Sequence, residues 1–90
     1  MEERIKAGDI VKHFKRENVE HSAIGNDSLQ YLYEVLSMNG FDTETEARVV
    51  VYKALYGTHT IFVRPYDDFM SEVNREKYPH ISQTYKFEQV

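Results

Sequence analysis

Three valines in a row, Val49 to Val51, constrain the fold of this chain more than any other feature. Branching at Cβ restricts each of them in a helix, whereas a pleated sheet accommodates such a run well. The valines lie in "ARVVVYKALY" (47–56), followed by "GTH" (57–59) and then "TIFVRPY" (60–66). Two extended segments joined by a short glycine-containing turn predict a hairpin. Pro65 has no backbone donor, so the second strand should end there or lie at a sheet edge.

The remaining segments are read against this hairpin. "GDIVKHF" (8–14) predicts a strand entered from a glycine turn, with Ile10 and Phe14 on one face and Val11 and His13 on the other. Residues 15–28 are polar and turn-rich, and predict a loop. "LQYLYEVLSMNG" (29–40) satisfies two patterns. Leu29, Leu32, Tyr33 and Leu36 have helical spacing, with Asp27 or Ser28 as a start and Gly40 as a stop, while Leu29, Tyr31, Tyr33 and Val35 alternate as in a strand. "FDTETE" (41–46) reads as an acidic turn, and "DDFMSEV" (67–73) as one or two helical turns capped by Asp67 with Asp68 beside it. In "ISQTYKFEQV" (81–90), Ile81, Tyr85 and Phe87 are expected inward. The fold expected is mainly β. It is a small SH3-like barrel, or a strongly bent antiparallel sheet of about five strands with one short helical turn, forming a single domain over 1–90.

Composition narrows the function classes. The chain has 90 residues and no cysteine, which excludes disulfides, thiolate metal sites and thiol catalysis. A small domain without disulfides fits a reducing interior. The charged start "MEERIKAGD" has no apolar core of a signal peptide, and the longest apolar run is far below a membrane span. A cytoplasmic protein with no membrane role is expected. Net charge is −4, against the basic excess usual in nucleic-acid binders. A nucleic-acid reader would have to gather Lys12, Lys15, Arg16, Lys53 and Arg75 beside exposed tyrosines.

Candidate chemistry rests on few residues. His13, His21, His59 and His80 are scattered and show no metal-ligand spacing. His13, on a strand beside the core, is the one best placed to act, as a structural imidazole or as a base. Asp42, Glu44 and Glu46 would share a face in an extended chain but lack the further ligands of a calcium loop. No metal or cofactor is expected. Arg64 shares a face with Phe62. Pointing inward it needs a carboxylate, for which Asp67 is the expected partner with Asp68 adjacent; pointing outward among tyrosines it could hold an anion. The tyrosines at 31, 33, 52, 56 and 66 suit cross-strand pairs or a docking surface. There is no Ser-His-Asp pattern and no phosphate loop.

Several pieces of the sequence resemble one family. "HFK" (13–15), "Y-E-V-L" (33–36), "TET" (43–45), "VYKALYG" (51–57), "VRPYDDFMSEV" (63–73) and "KYPHISQTYKFE" (77–88) follow, in order, the pattern of small bacterial proteins classed as domain of unknown function number sixteen fifty-three. This chain departs from that pattern at Phe41 and Asp42, where the family usually has a histidine before T-E-T, and at Asp68, where it usually has methionine. The resemblance implies a strand over 31–38 and an opening like that of an SH3-like barrel, and it implies no activity.

The functional expectation is a non-catalytic binding module for an unknown protein or peptide, using His13, Tyr33, Tyr52, Tyr56 and Arg64. One alternative is an enzyme acting on a small anionic or nucleotide substrate through His13 and Arg64, which would need both in one pocket and a perturbed His13. The other is the nucleic-acid reader. A homodimer through a strand edge is compatible with the pattern.

Overall fold

The computed structural model describes residues 4–17 and 29–90. Most of the expected 15–28 loop, His21 included, lies outside the described residues. Five strands are present: β1 (Ile10–His13), β2 (Leu32–Asp42), β3 (Ala47–Ala54), β4 (Ile61–Pro65) and β5 (Phe87–Gln89). All neighbouring pairs are antiparallel, in the order β4-β3-β2-β1-β5. A helical turn, Tyr66–Phe69, follows β4 directly.

The segment with two possible patterns is therefore a strand, and Gly40 is no helix stop. Tertiary pairing decides it, because Tyr33 and Val35 pair with Ala54 and Tyr52 of β3 and are buried with them. The register of β2 against β3 shifts between Val35 and Ser37 and again between Ser37 and Gly40. Such irregularities bend a strand. Gly40 stands opposite Val49, and a Cβ added there would lie 2.8 Å from a Val49 methyl carbon and 3.2 Å from the Val49 carbonyl oxygen. Val49 is buried although Val50 beside it is buried too, on the other face. The empty position at Gly40 is what lets Val49 settle. Gly40→Ala is accordingly expected to cost about 1–3 kcal/mol of stability, the usual range for overpacking, measurable as a lowered urea midpoint.

The sheet is strongly bent. Neighbouring strands lie about 4.8 Å apart, so β3 and β5 would be about 14 Å apart in a flat sheet. Instead the rings of Tyr52 and Phe87 approach to 5.4 Å, and Arg64 of β4 lies 5.2 Å over the Phe87 ring. The sheet nevertheless stays open. Among the described residues β4 and β5 do not pair, so the barrel form of the expectation is corrected to an open sheet. The physical reason lies between those edges. Pro65 ends β4, and the helical turn places Phe69 flat against Phe87, centroids 4.2 Å apart at 9°. Side chains close the inside where a ladder of hydrogen bonds does not.

Two expectations about the flanks change. The helical turn has Pro65 at its N-cap, with no side-chain cap, so neither Asp67 nor Asp68 caps it. In the C-terminal stretch only Phe87–Gln89 is a strand, and Gln83 rather than Tyr85 is buried with Ile81 and Phe87. The Gln83 amide donates to the carbonyls of Lys12, Tyr85 and Lys86, which satisfies it inside. At the other end Ile5 is fully buried, and Arg4 donates to the Phe87 carbonyl at 2.6 Å.

Candidate functional site

The inner face of the bent sheet opens into a cleft. β1 delivers His13 to it and ends there. The chain then turns, and the Lys15 amide donates to His13 Nδ1 at 3.1 Å. The His13 ring packs against Phe14 (4.3 Å) and edge-on to Phe87 (5.0 Å), and it is only 9% exposed. Burial, with the charges of Arg64, Lys15 and Lys86 adding to it, lowers its pKa to about 4. The ring is therefore neutral at pH 7. Its Nδ1 accepts from Lys15, so the proton sits on Nε2. Among the described residues no buried side-chain nitrogen or oxygen lacks a partner. Among the described residues the Nε2–H meets no protein acceptor, and His13 borders the cleft.

β4 delivers Arg64. Its Nε donates to the Tyr52 hydroxyl at 3.1 Å and its Nη1 to Asp68 Oδ2 at 2.7 Å. The ion-pair partner is thus Asp68, correcting the expected Asp67. Asp68 stands four residues on, at a position where one helical turn brings it back beside Arg64, while Asp67 is exposed. The second Asp68 oxygen accepts from Lys86 Nζ at 2.7 Å. That hydrogen bond, then the one from Arg64, holds the Asp68 carboxyl below the usual range despite partial burial. Burial opposes the Arg64 charge, but Tyr52 and Asp68 outweigh it and raise its pKa. Lys86 is fixed from both sides: its carbonyl accepts from Phe14 and its amide donates to Ser71.

Aromatic rings form the rest of the wall. Tyr52 and Phe62 are cross-strand partners and stack at 5.6 Å and 27°. Tyr33 is buried, and burial together with the Tyr56 hydroxyl at 2.8 Å raises its pKa and keeps it a neutral phenol. Tyr31 sits just before β2 with φ 66°, a conformation unfavourable for a bulky residue. Its ring lies 6.0 Å from His13 and 5.9 Å from Tyr56.

The cleft consists of two adjoining cavities of about 190 and 320 Å³, both bordered by His13, Lys15 and Arg64. Lys77 and Lys86 line the larger one. Among the described residues, four cationic residues thus line the space and no carboxylate does, in a chain of net charge −4. Of the expected site residues, His13, Tyr33, Tyr52 and Arg64 come together here, whereas Tyr56 backs Tyr33 without lining the cleft. Phe62, Lys77, Lys86 and Phe87 are additions to the expected site, and Lys15 figures there only among the cations of the nucleic-acid reading. Of those five cations only Lys15 lines the cleft. Lys53 pairs with Glu34 on the outer face, Arg75 donates to the carbonyls of Ile81 and Gln83, and Arg16 donates to that of Gln30.

The acidic turn is built otherwise than an extended carboxylate face. Asp42 Oδ1 accepts from the amides of Glu44 and Thr45, and these bonds lower its pKa. No group of three metal-ligating side chains occurs among the described residues, and no helix among them is long and apolar enough to cross a membrane.

A family model described as a protein of unknown function (DUF1653) matches residues 9–89. No curated protein and no solved structure matches the chain. His13, Lys15, Tyr33, Tyr52 and Arg64 all lie within the matched span and meet at the cleft.

Proposed function

The chain belongs to this family of proteins of unknown function, and from that premise we propose that it is a non-catalytic binding module whose cleft takes a small oxyanion. One observation carries the reading: Lys15, Arg64, Lys77 and Lys86 converge on a concave, aromatic-walled space in an otherwise acidic chain. Low-dielectric walls strengthen such a field and draw anions to it. Arg64, which lines both cavities, is pre-organised by Tyr52 through Nε and by Asp68 through Nη1, which leaves its Nη2 group for a ligand oxygen. The lack of cysteine is in keeping with action in a reducing cytoplasm.

The same geometry favours binding over catalysis at His13. A general base needs a free lone pair within reach of the substrate. The one lone pair of neutral His13 is occupied by the Lys15 amide. What remains is an N–H donor, which suits holding an oxygen rather than removing a proton.

Titration with inorganic phosphate, followed by NMR, tests the reading. The expected shifts centre on Lys15, Arg64 and Lys86 and weaken with salt. Arg64→Ala is expected to weaken binding roughly tenfold to a hundredfold, the worth of a hydrogen bond to a charged group, without unfolding the protein, since Arg64 is partly exposed. Shifts at the cleft no larger than those at Lys53 on the outer face would overturn it.

A further inference from the structure

The cleft is divided by chemistry as well as by shape. On one side of His13, Lys15 and Arg64 the walls are Tyr31, Tyr33, Tyr52 and Phe62; on the other they are Asn74, Lys77, Tyr78 and Lys86. We propose that the ligand is a nucleoside monophosphate, its base in the aromatic cavity against Phe62 and its phosphate at the shared wall of His13, Lys15 and Arg64. This rests on the oxyanion reading above and adds to it the ring that the anion carries.

Charge selects the phosphate. Asp68 brings a single negative charge to two of the four cations, Arg64 and Lys86, so a surplus of positive charge remains that a monocarboxylate would leave largely unmet. A phosphomonoester carries about −1.5 to −2 at pH 7 and three strong acceptor oxygens. The donors available to it are separate and differently directed: the Arg64 Nη2 group, the Lys15 ammonium and the His13 Nε2–H. Nε is committed to Tyr52 and one Nη1 hydrogen to Asp68, so the side-on grip of a carboxylate through Nε is taken while the Nη2 group keeps its donors.

The rings select a planar partner. Phe62 is 39% exposed although it stacks on Tyr52, so one of its faces is open to the cavity. Tyr31 is held at the rim by a backbone conformation that costs a residue of its kind about 1–3 kcal/mol, a strain that its position at the cavity accounts for. Tyr31, the remaining phenol of this wall, can meet the polar edge of a base, which a plain hydrocarbon ring lacks. Together the two cavities reach the size of small-molecule sites, about 300–1,000 Å³.

AMP, with inorganic phosphate and adenosine as its two halves, is the probe, measured by calorimetry on the whole chain. AMP is expected to bind roughly ten to a hundred times more tightly than phosphate, the usual worth of one aromatic–base stack, and adenosine far more weakly than AMP. Phe62→Ala is expected to bring AMP down to the level that phosphate shows with the same variant. If AMP and phosphate bind equally, the nucleotide proposal falls and the oxyanion reading stands; if neither binds, both fall. A dinucleotide with a 5′-phosphate separates the two sources of this chemistry. Binding weaker than that of AMP assigns the site to a free nucleotide, and equal or tighter binding assigns it to the end of a strand.

Discussion

Phe87→Ala is expected to cost about 3–5 kcal/mol, the range for deleting a buried phenylalanine. A chain of 90 residues has a total stability of about 5–13 kcal/mol, so the variant should lose from about a quarter to nearly all of it. Phe87 is 1% exposed and belongs to a strand of only three residues. It contacts Phe69 face to face, Tyr52 and Tyr33 edge-on, and His13 edge-on, and Arg64 lies above it. Because β4 and β5 are not joined by hydrogen bonds, this ring does what a barrel's closing ladder would do. A double-mutant cycle with Phe69→Ala should show a coupling above the roughly 0.5–1.5 kcal/mol of an ordinary aromatic pair, since each ring fills the space the other defines. Urea unfolding followed by circular dichroism measures both. A loss below about 1 kcal/mol for Phe87→Ala would mean that the bend of the sheet is held by something else.

The same ring marks the limit of what the sequence discloses. Phe87 alternates properly with its neighbours and is readable as inward, but nothing local says that it meets Tyr52 from three strands away. That contact follows from the bend, and the bend follows from irregular pairing of β2 around Gly40. The hairpin of β3 and β4 is legible because Val49 to Val51 and the Gly57–His59 turn are local signals. β2 is not legible alone, since Leu29, Leu32, Tyr33 and Leu36 satisfy a helix as well as a strand. Ile5 is hidden because one apolar residue among charges has no period, and Gln83 because its burial depends on three carbonyls brought from elsewhere. At the site, His13 and Arg64 are visible as unusual residues on strands. Their common cleft, and the arrival of Lys77 and Lys86 beside them, are properties of the topology. The exchange of Asp67 for Asp68 turns on a single residue of helical phase. The family match spans all of these residues, His13, Lys15, Tyr52, Arg64, Lys77 and Lys86 alike, but it does not say which of them meet.

Acid should weaken the fold well before its carboxylates are neutralised, and His13 is the cause. In the unfolded chain this imidazole takes up a proton as pH falls through about 6.5; in the folded chain, buried and faced by Arg64, Lys15 and Lys86, it does so only near 4. Between those values the unfolded state binds more protons, so stability declines as pH falls. His13 makes no demand above pH 6.5. Below it the loss grows, to about 2 kcal/mol by pH 5 and about 3 kcal/mol by pH 4, where the folded ring titrates too and the loss levels off. Asp68, whose folded pKa is lowered from 3.8, adds its own loss only at still lower pH. The range from pH 7 to 5 therefore isolates the histidine. His13→Asn places an amide oxygen where Nδ1 accepts from Lys15 and removes the titration. It is expected to flatten the dependence of the urea midpoint on pH across that range, whatever it does to the midpoint itself. An unchanged slope would show that His13 takes up its proton as readily in the folded protein as in the unfolded chain, and the burial that keeps it a neutral N–H donor in the cleft would be refuted.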